Sequence, residues 1–206
     1  MAPGCPSMLE LALHACCFVC GIVTAASTAI FQSDLDWNCA LYGTVDYNAS
    51  TQAISLISSS PLSHCRFVIA ISVIVTLLSL VFFSYRECPK VTLGICGVLL
   101  FFLLITGCIM KYGTESLCGS LKDKVINLTS CYNAQTRKWT SPFKGDKFYN
   151  CLNVAETSIW ATLIVWILLG IIAIVKQCGN SESSRPLVNS RHERIVTVKH
   201  LFVTHN

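Results

Sequence analysis

The sequence predicts an all-α membrane protein: a four-transmembrane-helix bundle with two disulfide-tied extracellular or lumenal loops. Three observations carry this. Of the 206 residues, 53% are hydrophobic and 13% charged, and mean hydropathy is +0.58, whereas soluble domains are roughly a quarter charged. The apolar residues gather in four blocks rather than at the periods of a soluble core. One block, residues 91–110, holds twenty residues without charge or proline. As a helix it crosses a hydrocarbon core of roughly 30 Å.

Residues 1–7 form a short cytosolic N-terminus containing Cys5. The first span is 8–30, with Glu10 and His14 near its start. A secretory signal peptide is the rival reading, since Thr24 to Ser27 are small. No Lys or Arg precedes the run, and the run exceeds the usual h-region, so an uncleaved span is expected. Glu10 and His14 lie four apart and share a face, which suits a pair. Cys17, Gly21, Ala25 and Ala29 form a stripe of small residues suited to close helix approach in lipid.

Loop 31–66 contains Trp37, Cys39, Cys65 and the acceptor triplet Asn48-Ala49-Ser50. The second span is 67–85. Residues 86–90 are a cytosolic turn holding Cys88 and Pro89, and Pro89 cannot continue a helix. Spans two and three (67–85 and 91–110) should therefore form an antiparallel pair. Loop 111–157 holds Cys118, Cys131, Cys151 and a second triplet, Asn127-Leu128-Thr129. Its middle, 132–147, is polar and reads as irregular. Asn153 and Glu156 suggest a capping box before the fourth span, 158–175, with Trp160 as an interfacial anchor. Residues 176–206 are a cytosolic tail, and 180–184 read as a linker.

Four spans put both termini on one side. Arg86, Lys90, Lys176 and the basic tail favour a cytosolic location for the turn and termini. Loop 111–157 dissents with seven basic residues against four acidic ones. The two acceptor triplets share a side and break the tie, which makes Asn48 and Asn127 the predicted N-glycosylation sites. The localisation expected is a multi-pass protein of the secretory pathway or plasma membrane with both termini cytosolic.

Five of the thirteen cysteines fall in the loops: Cys39, Cys65, Cys118, Cys131 and Cys151. The within-loop pairs 39–65 and 118–131 are preferred because local closure costs the chain less entropy. Cross-loop pairing stays open, and Cys151 is either a free thiol or pairs between molecules. Cys88 and Cys178 lie beside span ends, where palmitoylation and an ordinary thiol are both reasonable. Cysteines within spans behave as small apolar residues.

No HExxH, GxSxG, P-loop or GxGxxG occurs, and His64 beside Cys65 is not a productive thiol–imidazole pair. No enzyme activity, cofactor or metal is expected. The net charge of +4 comes without a dense aromatic-interleaved basic patch, so nucleic acid is not an expected partner. The partners expected are the lipid bilayer and other membrane proteins or a second copy of the chain.

The tetraspanin CCG, the connexin triple-cysteine loops and the claudin W…GLWxxC pattern are not met. The chain does resemble the transmembrane protein 179 family, closest to its B branch. The likeness rests on Cys39-Ala40-Leu41-Tyr42-Gly43 with Asn48-Ala49-Ser50, Cys65, Tyr112 to Cys118, Ser130-Cys131, Ala134-Gln135, Trp139-Thr140, Phe148-Tyr149 and Ala155 to Ser158 with Trp160. It implies a multi-pass membrane protein of undefined activity with Cys39, Cys65, Cys118 and Cys131 as a matched set. Cys151 and the tail beyond Val188 depart from the pattern. The function expected is a non-enzymatic accessory or organising protein acting by lateral contacts. The alternative is a pore-forming or transport subunit in an oligomer.

Overall fold

The computed structural model describes residues 8–84, 89–125 and 128–203. Its elements are α1 (Met8–Asp34), β1 (Cys39–Asn48), β2 (Ala53–Ser60), α2 (Ser63–Ser84), α3 (Pro89–Lys124), a 3-10 turn (Cys131–Thr136), β3 (Lys138–Trp139) and α4 (Phe148–Val203). Each of the four helices contains a stretch long and apolar enough to cross a membrane.

The bundle is apolar outside as well as within, and small hydroxylated residues are set into its seams. Val19, Leu77, Val98, Phe101, Ile164 and Ile171 are more than half exposed, while Thr24, Thr28, Ser72, Ser79, Thr106 and Thr162 are buried. In lipid the apolar faces are solvated, and small or hydroxylated residues let helices approach closely. Each buried hydroxyl needs a partner. Thr24, Thr28, Ser72, Thr76, Ser79, Thr106 and Thr162 all donate to the carbonyl four residues earlier, at 2.7–2.9 Å.

The seams repeat every three to four residues. On α1 the buried positions include His14, Cys17, Gly21, Thr24, Thr28 and Phe31. On α4 they are Phe148, Leu152, Ala155, Ile159, Thr162, Trp166, Leu169 and Ala173. A 3.5-residue repeat keeps each face on its partners and favours a left-handed supercoil. It also corrects the stripe predicted on α1. Ala25 and Ala29 are only half-buried, because a strict four-residue spacing drifts off the face, and Thr24 and Thr28 take the seam instead. Gly21 remains central, since a Cβ there would overlap the Thr76 hydroxyl and stand 3.1 Å from the Ser72 carbonyl oxygen.

α1 packs against both α2 and α4, and α3 packs against α4 and β1. The neighbours in sequence, α2 and α3, touch only sparsely, through contacts such as Phe67 with Phe102 at 6.3 Å between ring centroids. Among the described residues the pair predicted from the short turn is thus packed less closely than α1 with α2, α1 with α4 or α3 with α4. The small and hydroxylated face of α2 turns to Gly21 on α1. Near the helix ends that carry the termini, His14 stacks on Phe82 at 5.5 Å and meets the edge of Trp166 at 6.0 Å. Glu10, predicted to pair with His14, is ion-paired across helices to Lys176 at 2.6 Å.

Hydropathy marks where the membrane ends, not where a helix ends. α3 begins at Pro89, which suits the first helical position, and runs to Lys124, fourteen residues past Met110. α4 likewise begins at Phe148, ten residues before the predicted span. It continues through 180–184, predicted as a linker. Extending a helix already nucleated in the membrane adds one hydrogen bond per residue fixed, without a new nucleus.

The overhangs of α3 and α4 frame a lobe on the loop side. β1 pairs antiparallel with β2, and β2 pairs parallel with β3. The bundle is helical as predicted, and the loops add this small sheet, which the sequence reading did not contain. Leu41, Val45, Ile54, Leu117, Leu121, Cys131, Phe148 and Leu152 form one core continuous with the tops of the spans. A second cluster around Cys17, Val75, Cys96, Leu103 and Trp166 fills the bundle itself.

Candidate functional site

The lobe is the part of the chain that polar groups shape, and two disulfides brace it. Cys39 at the start of β1 bonds Cys65 in the first turn of α2, with Cα atoms 5.9 Å apart. Cys118 on the α3 overhang bonds Cys131 in the 3-10 turn, at 5.4 Å. These are the two within-loop pairs predicted. Cys151 holds a half-buried thiol packed against the lobe core.

The chain leaves α1 through a tight reversal. The Trp37 amide donates to the Gln32 carbonyl at 2.8 Å, and Asp36 and Trp37 take left-handed φ values of 54° and 61°. Asp tolerates that region and a bulky ring does not favour it. The reversal leaves Trp37 67% exposed. In β1 the register shifts around Thr44. Gly43 sits at this bulge, where a Cβ would lie 2.8 Å from the Ala40 carbonyl oxygen and 2.9 Å from that of Ser58. β1 rests on α3 because Gly113 offers no Cβ, which would stand 3.0 Å from Leu41. The Val45 amide donates to Ser120 Oγ at 3.0 Å, joining the two loops.

Asn48 closes the β1–β2 hairpin and is exposed. Its Oδ1 accepts from the Ser50 amide at 3.0 Å and from the Ser50 hydroxyl at 2.6 Å. This Asx turn presents acceptor and hydroxyl together at a protruding tip. Asn48→Gln is expected to remove one glycan, read as a discrete gain in gel mobility that glycosidase treatment of the wild type reproduces. An Asn48→Gln protein with unchanged mobility would remove Asn48 as a site. Asn127 lies outside the described residues.

The second loop folds back onto the first. The Thr140 amide donates to Ile54 at 2.9 Å, and the Lys144 amide donates to Asp34 at 2.8 Å. The Trp139 indole donates to the Ala134 carbonyl at 3.2 Å and lies over Gly145, where a Cβ would overlap it. Gln135 Oε1 accepts from the Asn150 amide at 3.1 Å, capping α4 from a distant turn. The capping box predicted at Asn153 and Glu156 does not form. α4 starts at Phe148, so both residues lie inside it. Glu156 instead stands 3.6 Å from Lys111, which also pairs with Glu115 at 3.1 Å.

Between the α3 overhang and the first turns of α4 lies a groove of about 270 Å³, lined in part by Lys111, Thr114, Glu115, Lys122, Tyr149 and Glu156. Around the lobe, Trp37, Tyr42, Ile57, Leu62, Tyr112 and Tyr132 are exposed. Tyr42 faces His64 at 5.8 Å. Burial raises its phenol above the usual value, with Cys108 and Tyr112 adding to this, so it presents a neutral hydroxyl. Trp160, predicted as an interfacial anchor, is half-buried over Gly107 on α3, at 3.3 Å from a Cβ built there. Among the described residues no group of three or more His, Cys, Asp or Glu could hold a metal ion. Cys178 is exposed beyond the fourth span, and Cys88 lies outside the described residues.

Sequence reasoning assigned no structural role to Gly43, Gly113 and Gln135, which it quoted only for the family likeness, nor to Ser120 and Gly145. An isolated glycine in an alternating stretch is a signal for a bulge or close approach, and Gly43 carries it. Nothing local marks Ser120 or Gln135, because their partners are 75 and 15 residues away.

Residues 6–198 match the family model described as the transmembrane protein 179/179B claudin domain. The chain is 42% identical over 191 residues to transmembrane protein 179B of Danio rerio, covering 86% of each chain. To the Homo sapiens protein of that name it is 35% identical over 193 residues, covering 87% of this chain and 86% of the relative. To the Mus musculus protein it is 36% identical over 174 residues, covering 78% of each. No solved structure matches the chain. Failure to meet the local W…GLWxxC pattern did not rule out a match to a claudin-type domain.

Proposed function

The chain belongs to the transmembrane protein 179/179B claudin-domain family, and from that premise we propose that it is a non-enzymatic accessory or organising protein acting by lateral contacts. In this reading the lobe faces the extracellular or lumenal side and both termini are cytosolic. Both disulfides and the exposed Asn48 acceptor turn support that orientation. The observation that carries the reading is the lobe itself. It is a disulfide-braced platform at the bundle's end, bearing exposed Trp37, Tyr42, Ile57, Tyr112 and Tyr132. Aromatic side chains of this kind are enriched at recognition surfaces. The interior of the bundle is filled by Cys17, Leu99, Leu103 and Trp166, which speaks against passage through a single copy.

Purification in mild detergent tests the proposal. A second multi-pass chain is expected in fixed ratio, and Ile57→Glu combined with Tyr112→Glu should weaken that assembly about tenfold. A homo-oligomer that carries ion flux after reconstitution would replace the proposal with a pore-forming role.

A further inference from the structure

We propose that Trp37 anchors the lobe to the bilayer, its indole set in the headgroup layer of the leaflet on the lobe's side, with a zwitterionic phospholipid surface as its partner. This goes beyond the lateral-contact reading. It assigns Trp37 to lipid and leaves Tyr42, Ile57, Tyr112 and Tyr132 for a protein partner.

Height carries the inference. The Glu10–Lys176 ion pair marks the opposite edge of the bilayer on α1. From there a hydrocarbon core of roughly 30 Å takes about twenty helical residues. It ends near Ile30, the last large apolar residue of α1 that is exposed. α1 runs on to Asp34, and the chain then turns back. The Trp37 amide donates to the Gln32 carbonyl at 2.8 Å, and the Asn38 amide to that of Leu35 at 3.0 Å. Trp37 is thereby held level with the last turn of α1, about 3–8 Å beyond Ile30 at 1.5 Å per residue. The headgroup layer on each side is about 5–8 Å thick. Indoles concentrate there because the ring is apolar and its N–H finds water and lipid oxygens.

The surroundings match that layer. The Cys39–Cys65 bridge, two residues on, ties the turn to the first turn of α2. Leu62 just before α2 and Arg66 within it are exposed, and Arg66 makes no ion pair among the described residues. Asp36, exposed next to Trp37, supplies the opposite sign. A carboxylate and a guanidinium in one corner with an indole suit a surface of ammonium and phosphate. The corner is also continuous with the lipid-facing surface. Arg66, Ala70, Val73 and Leu77 are all exposed at three- to four-residue spacing, so the patch is the upper end of the stripe that α2 turns to lipid.

The backbone is an independent sign. Asp36 and Trp37 both take left-handed φ, as in a two-residue turn that favours Asn-Gly. A bulky ring is an outlier there, and such outliers gather at functional positions. The chain does not recover the strain by burying the ring, which stays 67% exposed.

The test uses the full chain in phosphatidylcholine nanodiscs. Emission from Trp37 is the difference between wild type and Trp37→Phe, and again between wild type and Trp37→Gly, since glycine adopts this φ freely. Lipid spin-labelled at the headgroup should quench that component at least about twofold more than lipid labelled at the chain end, and aqueous iodide should quench it at least about twofold less than free tryptophan amide. Iodide quenching equal to that of the free amide, with no response to the headgroup label, would overturn the proposal. Shielding from both quenchers would overturn it too, because it would set the ring against protein.

Discussion

Replacing Cys39 and Cys65 together with serine is expected to cost the protein about 2–5 kcal/mol. Both sulfurs are wholly buried in the core beside Phe31, Leu35 and Val68. Their bridge closes 26 residues, against 13 for Cys118–Cys131. Doubling the closed length adds about 0.6 kcal/mol of loop entropy removed from the unfolded chain. The serines would add a second penalty, since two hydroxyls would enter an apolar core without partners. Thermal unfolding in nanodiscs, followed by protease sensitivity of the β1–β2 hairpin, reads the effect. Cys151→Ala serves as the control, because Cys151 carries no bridge. A double serine variant melting with the control would show that the bridge does not brace the lobe.

Gly21→Val is expected to destabilise the bundle by about 1–3 kcal/mol through overpacking. The space a side chain would need is already taken. The Thr76 hydroxyl occupies the Cβ position and is itself fixed by its bond to the Ser72 carbonyl at 2.8 Å. That carbonyl is backbone and cannot rotate away. α1 must therefore separate from α2, and α1 also contacts α4, so the loss spreads to two seams. Gly94 and Gly97 on α3 are the matched controls, with nothing within 4 Å of a built Cβ. Gly97→Ala should leave stability unchanged or raise it by up to about 1 kcal/mol, as alanine stiffens a helix. Denaturant titration in detergent compares them. Equal losses at Gly21 and Gly97 would mean that close approach of α1 to α2 is not what Gly21 provides.

The spans and the cysteine pairs were legible because each depends on local chemistry. Continuous apolar length states a membrane crossing, and nearby cysteines close the cheaper loops. The sheet was half legible. Leu41, Gly43, Val45 and Tyr47 alternate with exposed Tyr42, Thr44 and Asp46, but an aromatic on the exposed face and a glycine on the buried one hide that alternation in the sequence. β3 has only two residues and exists through its pairing with Ala53 and Ile54. The start of α4 was misplaced because its cap is Gln135, whose distance in sequence hides it. The α3 overhang was missed for another reason. Lys111 and Glu115 end the hydropathy while their spacing supports the helix. The groove followed from that overhang, so its residues could be read but not assembled.

Neither disulfide crosses from one loop to the other, and this orders the protein's biosynthesis. Cys65 is made at the first turn of α2, so the first bridge has both sulfurs before any of α3 exists. The second pair is complete by Cys131, before α4 begins. Chains emerge N-terminus first. In an oxidising compartment each bridge can therefore form as its own loop is delivered, with no later cysteine needed to correct it. What must wait is non-covalent: the docking of Lys138 and Trp139 beside Ala53 and Ile54, which joins two halves already laced separately.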